Sequence, residues 1–148
     1  MELAELTVRG FTEEIASASP APGGGSAAAL AGAVGAALTA MVSGLTLGRK
    51  KYEAVQELVL RAQAQADALR KRLLAAMEQD TQTFLQVSAA YAMPKQTPEE
   101  KQARSSAIEQ GLKACTQPPL AVMQLCAEGL ELLDQLHGVT GTPVPRRL

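Results

Sequence analysis

The segment from about Tyr52 to Met93 carries apolar side chains in alternating steps of mostly three and four residues. This spacing is typical of one face of an α-helix, and Pro94 ends the pattern. The apolar positions are Val55, Val59, Ala62, Ala66, Leu69, Leu73, Met77, Phe84, Val87 and Tyr91. At about 1.5 Å per residue such a helix is roughly 60 Å long, so it sets the long axis of a helical bundle.

Four shorter helices are predicted around the long one. Aromatic residues are scarce, with no Trp, two Tyr and two Phe, and this composition favours packed helices over sheets. We place the shorter helices at about Leu3–Ser17, from Ser26 to about Leu47, from the N-cap Thr97 to about Thr116, and from Pro118 to near His137. The sequence therefore predicts an all-α domain over residues 1–137, followed by an irregular tail over 138–148.

Charge and cysteine content narrow the functional classes. Lys and Arg number 14 against 15 Asp and Glu, so the net charge of −1 gives no field that would draw nucleic acid. Cys115 and Cys126 lie eleven apart beside one His, which matches no zinc spacing, so we expect no metal. Two unbridged thiols and an acidic N-terminus without an apolar core favour the cytoplasm.

No charged residue occurs between Ala16 and Gly48, which raises the alternative of a membrane span. Small residues recur there at every fourth position, as in paired transmembrane helices. They are Ala28, Gly32, Ala36, Ala40 and Gly44. Ala and Gly are much less hydrophobic than the Leu and Ile of typical spans, and small residues equally allow close packing in a soluble bundle. We predict no membrane association.

The stretch SPAPGGGS, residues 19–26, precedes this apolar helix. Glycines leading into a helix N-terminus leave free amides under the positive end of the helix dipole. Gly23, Gly24 and Gly25 are therefore candidates for contact with an anion or a carbonyl group, and Ser26 is predicted as the N-cap. A tight interhelical turn is the alternative.

Asp80 occupies a heptad position of the long helix that should face the core. Desolvation of a carboxylate tends to raise its pKa toward the range useful for general acid–base catalysis. The alternative is that Asp80 is a buried polar residue that fixes the register of the helices, or that it pairs with an Arg on a neighbouring helix. Basic residues cluster near the two helix breaks, at Arg49, Lys50 and Lys51 and at Lys95, Lys101 and Arg104. They are typical of solvated helix ends, but beside the glycine loop they would suit a polycarboxylate.

Three segments together resemble the cyclodeaminase/cyclohydrolase family, which includes the C-terminal domain of formiminotransferase-cyclodeaminase and stand-alone methenyltetrahydrofolate cyclohydrolases. The similarity spans roughly residues 3–136. The segments are SPAPGGGSAAALAGAVGAALTAMVSGLTLGRKKY, MEQDTQTFLQVSAAYAMPK and TPEEKQARSSAIEQGLKACTQPPLAV. The resemblance implies an elongated, mainly antiparallel helical bundle that forms a homodimer and binds a tetrahydrofolate derivative, with a polyglutamate tail on basic residues.

The same resemblance implies roles for particular residues. Gly23, Gly24, Gly25 and Ser26 would contact the folate, Asp80 would be the acid–base group, and Lys95 and Arg49 would be ligand-side cations. The folate is the substrate, and no separate cofactor is expected. Family members continue beyond the position of HGVTGTPVPRRL into further helices. The alternative function is therefore a non-catalytic folate-binding or protein-interaction module without those helices.

Overall fold

The structure is a computed structural model and describes residues 2–139. Within this range it contains five α-helices, two short 3₁₀ helices and no strand. The α-helices are α1 (Val8–Ile15), α2 (Gly24–Thr46), α3 (Gln56–Ala92), α4 (Pro98–Cys115) and α5 (Gln117–Leu136). The prediction of an all-α bundle with one long central helix is confirmed. Most of the predicted tail, residues 140–148, lies outside the described residues.

Helix α2 runs antiparallel to the first two-thirds of α3. At one end Gln56, the first residue of α3, binds the last turn of α2: its Oε1 accepts from Gly48 N at 2.7 Å and its Nε2 donates to Thr46 O at 3.4 Å. At the other end Ser26 contacts Met77 and Asp80 of α3. The 37 residues of α3 make it about 55 Å long, so α2 spans only part of it.

Helices α4 and α5 follow one another along α3, both antiparallel to it. Arg104 of α4 donates to Tyr91 O at 3.2 Å, and a Cβ on Gly111 would lie 2.9 Å from Val87 Cγ2. Further along, Glu128 of α5 pairs with Arg72 at 2.6 Å. Pro118 is buried at the start of α5, so the predicted break near the two prolines is confirmed.

The main hydrophobic core lies where α2, α3 and α5 meet. Small side chains of α2, among them Ala29, Ala33 and Ala36, are buried there against Leu69, Leu73 and Met77 of α3 and Val122, Leu125 and Leu132 of α5. Gly32 lies so close to its neighbours that an added Cβ would sit 3.1 Å from Cys126 Sγ and 3.2 Å from Leu73 Cδ2. The small residues therefore serve close packing inside this bundle.

The opposite face of α2 is apolar but exposed. Val34, Leu38 and Met41 are each 53% exposed and Leu45 is 61% exposed. Among the described helices, α2 alone has the length and apolar composition of a membrane span. The small-residue side of α2 packs against α3 and α5.

Three predicted details are wrong. The first helix is split into a 3₁₀ helix, Leu3–Glu5, and α1, because Thr7 caps α1 by accepting from Gly10 N at 3.0 Å. The long helix begins at Gln56 rather than Tyr52, since residues Lys50–Val55 form a 3₁₀ helix with a kink. Phe84 and Tyr91 are 40% and 52% exposed, because α2 and α5 do not reach the last turns of α3.

The start of α4 agrees closely with prediction. Thr97 is the N-cap, and its side chain accepts from Glu100 N while Glu100 accepts from Thr97 N, which completes a capping box. Hydrogen bonding from the backbone amide of Glu99, and then from the Thr97 side chain, lowers the pKa of Glu99 below its usual range. These bonds fix where the chain turns back along α3.

Candidate functional site

A cleft of about 300 Å³ opens where the glycine loop meets the middle of α3 and the end of α4. Its walls come from three separated parts of the chain, which only the antiparallel packing brings together. The lining residues are Pro20, Ala21, Gly23, Gly24, Gly25, Asp80, Thr81, Phe84 and Cys115. The structure thus joins the two features that the sequence singled out independently, the glycine run and Asp80.

Gly25 permits the close approach of Asp80 to the loop. A Cβ at position 25 would overlap Asp80 Oδ1 and would lie 2.7 Å from both Cγ and Oδ2 of the same carboxyl group. No L-side chain fits there without displacing the carboxylate. Glycine at this position is therefore a steric requirement of the site.

The N-terminus of α2 supplies the electrostatic setting of Asp80. The first intrahelical hydrogen bond of α2 runs from Ala27 N to Gly23 O, so the amides of Gly24, Gly25 and Ser26 precede the helix ladder. Such amides carry the positive end of the helix dipole, which favours negative charge. The Asp80 carboxylate lies at this N-terminal end of α2, and so would an anionic or carbonyl group bound in the cleft.

Ser26 holds Asp80 from behind the cleft. Its side chain is fully buried, and its Oγ lies 2.8 Å from Asp80 Oδ2, 3.1 Å from Thr81 Oγ1 and 3.2 Å from Met77 O. The predicted N-cap role is wrong: Gly23 is the N-cap, and the Ser26 hydroxyl is directed to α3 instead of to its own helix amides. Because Ser26 is buried, we infer that it acts on a ligand through Asp80 rather than by direct contact.

Asp80 is half-buried, with one edge on the cleft. The alternative that it pairs with an Arg is wrong, since the ion pairs of residues 2–139 join other partners. Its hydrogen-bond partner is the neutral Ser26 hydroxyl. The carboxylate is thus held by a neutral donor beside open space.

Lys95 and Arg49 are not brought to the loop. Lys95 is exposed in the α3–α4 connection, and twelve residues of helix separate Asp80 from Ala92, which is about 18 Å along the axis. Arg49 follows the far end of the 23-residue α2, about 34 Å from the glycine run. Neither cation lines the cleft.

The sequence analysis missed three residues of the cleft. Phe84 was predicted to face the core, Cys115 was considered only as a metal ligand, and Thr81 was not singled out. Phe84 lies four positions after Asp80, so helical spacing from this carboxylate would have found it, whereas Thr81, one position after Asp80, is not on the same face by that spacing. Cys115 carried no such signal, because its position depends on the packing of α4 against α3.

Within residues 2–139, no cluster of three or more His, Cys, Asp or Glu side chains is arranged to hold a metal ion. The architecture is an elongated helical bundle with a half-buried carboxylate in a glycine-walled cleft. This defines the class: an all-α protein whose site is built at a helix N-terminus.

Comparison with known proteins places the chain within that class. The sequence profile of the formiminotransferase-cyclodeaminase family matches residues 7–143, and the chain belongs to this family. It is similar to a methenyltetrahydrofolate cyclohydrolase of Methylorubrum extorquens, with 41% identity over 128 residues that cover 86% of this chain and 62% of the relative. It also resembles the formimidoyltransferase-cyclodeaminase of Mus musculus, with 33% identity over 90% of this chain and 25% of the relative.

A solved structure shares the fold. The crystal structure of formiminotetrahydrofolate cyclodeaminase from Thermotoga maritima matches with a TM-score of 0.78 and 27% identity, over 91% of this chain and 63% of the other. The resemblance stated from sequence is therefore confirmed. The chain spans less than two-thirds of the length of each of these relatives.

Proposed function

We propose that this protein opens or closes the one-carbon bridge between two nitrogens of a tetrahydrofolate, as a methenyltetrahydrofolate cyclohydrolase or a formiminotetrahydrofolate cyclodeaminase. The observation that carries the proposal is the Asp80 carboxyl, which Gly25 admits to the cleft and Ser26 fixes in place. The names of the relatives support the substrate class.

Asp80 suits both reactions because each requires one proton to be taken from a nucleophile and one to be given to a leaving nitrogen. In hydrolysis, water loses a proton as its oxygen bonds to the carbon of the methenyl cation, and a folate nitrogen gains a proton as its bond to that carbon breaks. The remaining hydroxyl proton is released to solvent as the formyl carbonyl forms, so the positive charge of the substrate leaves as that proton. In deamination, the second folate nitrogen loses its proton as it attacks the carbon of the protonated formimino group (–CH=NH₂⁺). The resulting amino group gains a proton and leaves as ammonia, and the methenyl cation keeps the positive charge. A single carboxyl performs each exchange.

The remaining walls of the cleft are suited to orientation of the ligand. Amides at the start of α2 are donors for a carbonyl or ring nitrogen acceptor, and the exposed edge of Phe84 offers an aromatic surface for a flat ring. We propose Lys95, which is exposed in the α3–α4 connection, as the cation that a glutamate or polyglutamate tail of the ligand would contact. Holding the reacting carbon near Asp80 lowers the entropic cost of the reaction.

A homodimer is part of this proposal. The exposed apolar stripe of α2, at Val34, Leu38, Met41 and Leu45, is the surface that a second copy would cover. Covering it would also remove the membrane-span alternative for α2. The two unbridged thiols, Cys115 and Cys126, support a reducing compartment, and we place the protein in the cytoplasm.

A non-catalytic folate-binding or protein-interaction module is the second candidate, because the exposed apolar stripe of α2 also suits contact with a partner protein. The two candidates differ in turnover. Methenyltetrahydrofolate and formiminotetrahydrofolate are incubated separately with the protein while absorbance of the methenyl chromophore is followed. Loss of the chromophore in the first incubation identifies the hydrolase, and its appearance in the second identifies the deaminase.

The control is Asp80→Asn, which keeps the shape and the hydrogen bond to Ser26 but removes the proton exchange. A folded Asp80→Asn protein that retains full turnover would contradict the proposed role of Asp80. If wild-type protein binds folate but changes neither substrate, the non-catalytic module is supported and the enzyme proposal is overturned.

A further inference from the structure

The buried hydroxyl group of Ser26 connects two side chains of the cleft wall, Asp80 and Thr81. Asp80 and Thr81 both line the cleft, and the buried Ser26 Oγ bridges them at 2.8 Å to Asp80 Oδ2 and 3.1 Å to Thr81 Oγ1. We propose that Thr81, Ser26 and Asp80 form a proton relay, in which Thr81 is a second catalytic residue and Ser26 is the link. The proposal rests on the proposed function and gives the path by which the proton of the nucleophile reaches Asp80.

The hydrogen-bond capacity of Ser26 fixes the direction of the chain at rest. A serine hydroxyl has one hydrogen to donate and two lone pairs to accept with. An ionised carboxylate only accepts, so the Ser26 hydrogen is directed to Asp80 Oδ2 and the Thr81 hydroxyl donates to Ser26 Oγ. Met77 O, 3.2 Å from Ser26 Oγ, remains the acceptor for the Ser26 hydrogen when Asp80 is protonated on Oδ2.

Each step of the relay conserves atoms and charge. As the nucleophile bonds to the one-carbon unit, its proton moves to Thr81 Oγ1, the Thr81 hydrogen moves to Ser26 Oγ, and the Ser26 hydrogen moves to Asp80 Oδ2. Three bonds to hydrogen break and three form, and both hydroxyls end neutral. Asp80 then gives its proton to the leaving folate nitrogen or ammonia, which restores the carboxylate.

The relay solves a spatial requirement of the reaction. The nucleophile and the leaving nitrogen occupy different positions around the same carbon, so the proton must be taken at one place and delivered at another. Asp80 and Thr81 are successive residues of α3, so they point in different directions around the helix axis. A buried hydroxyl that connects them joins two points of the cleft without admitting solvent.

The test compares Thr81→Val with Thr81→Ser. Valine keeps the shape of threonine without its hydroxyl, whereas serine keeps the hydroxyl. We expect Thr81→Val to lower kcat roughly 100-fold with little change in KM, because general acid–base catalysis contributes at least about that much, and Thr81→Ser to retain kcat within a few-fold. Equal losses in the two variants, or no loss in Thr81→Val, would overturn the relay.

A double-mutant cycle separates a relay from two independent contacts. Ser26→Ala and Thr81→Val break the same chain, so the double variant should lose about as much kcat as either single variant, whereas independent contacts would multiply their losses. Ser43→Ala is the matched control, since Ser43 is a fully buried serine of the same helix whose Oγ donates to Thr39 O at 3.0 Å. Multiplying losses, or an equal loss in Ser43→Ala, would overturn the relay.

The outcomes also distinguish this inference from the function on which it rests. Wild-type protein that turns over neither folate overturns the proposed function, and the relay with it. Active wild-type protein whose Asp80→Asn variant is silent, and whose Thr81→Val variant is fully active, overturns the relay alone and leaves Asp80 as the single exchanging group.

Discussion

The two halves of helix α2 use buried hydroxyl groups in different ways. In the C-terminal half, the hydroxyls of Thr39, Ser43 and Thr46 each donate to the carbonyl four residues earlier in the same helix, at 2.8–3.0 Å. At the N-terminal end, Ser26 donates across to α3 and is bound to Asp80. Burial alone therefore does not distinguish a serine that bonds within its own helix from one that bonds to a neighbouring helix.

The difference follows from what each hydroxyl can reach. A serine inside a helix always has its own carbonyl ladder as a partner, so a small polar residue can be buried there at little cost. Ser26 lies in the first turn of α2. The residue four positions before it is Pro22, which precedes the helix, so no carbonyl of α2 is available to the Ser26 hydroxyl at that spacing. Its partner must come from another element, and that element supplies the carboxylate.

The largest expected effect is that of Asp80→Asn. Removing proton exchange while keeping the shape should lower turnover roughly 100-fold to 10,000-fold, since that is the contribution of general acid–base catalysis. The methenyl chromophore reports the rate, and circular dichroism establishes that the variant is folded. A rate within a few-fold of wild type would show that the N-terminal end of α2 is no more functional than its C-terminal half.

The next largest loss of turnover is expected for Gly25→Ala, and Gly35→Ala is its matched control. The Cβ at position 25 would displace the Asp80 carboxyl, whereas a Cβ at position 35 meets nothing within 4 Å. We expect Gly25→Ala to lower kcat roughly 100-fold, because displacement of a catalytic group by about 1 Å has that effect. Gly35→Ala should keep the rate and gain up to about 1 kcal/mol of stability from helix propensity. Similar rates in both variants would remove the steric argument.

Leu38→Arg tests the exposed face of the middle of α2. Leu38 is 53% exposed, and a charge there should weaken a dimer by about 2 kcal/mol or more if the residue is central to the contact. Sedimentation velocity measures the shift from dimer to monomer. Leu112→Arg changes an exposed leucine of α4 and should leave the dimer intact. A dimer that survives Leu38→Arg would place the contact elsewhere.

The smallest expected effect is a difference in the free energy of unfolding between variants of two buried serines, Ser26 and Ser43. Ser26→Ala removes the partner of a half-buried carboxyl and should cost about 1–3 kcal/mol in the free energy of unfolding. Ser43→Ala removes a hydroxyl that only duplicates a helix hydrogen bond and should change stability by less than about 1 kcal/mol. Urea unfolding monitored by circular dichroism measures both. Equal costs would mean that the two hydroxyls make equivalent contributions.

Much of the fold was predictable because its signals are local. The apolar spacing of α3, the capping residue Thr97 and the prolines at 118 and 119 each act through neighbouring residues of the chain. The glycine run and Asp80 were also visible, since three glycines before an apolar helix and a carboxylate in an apolar column are both costly unless they serve a purpose.

The rest depended on contacts between distant residues. Sequence could not show that Ser26 binds α3 rather than capping α2, since capping and cross-helix bonding use the same hydroxyl. Nor could it show that Cys115 lines the same cleft as Asp80, 35 positions away, while Arg49 lies beyond the far end of α2. The sequence by itself determined the helices and the candidate residues, because periodicity and capping are local. Tertiary structure alone decided which candidates share one cleft, because antiparallel packing selects them by position along the helix axes.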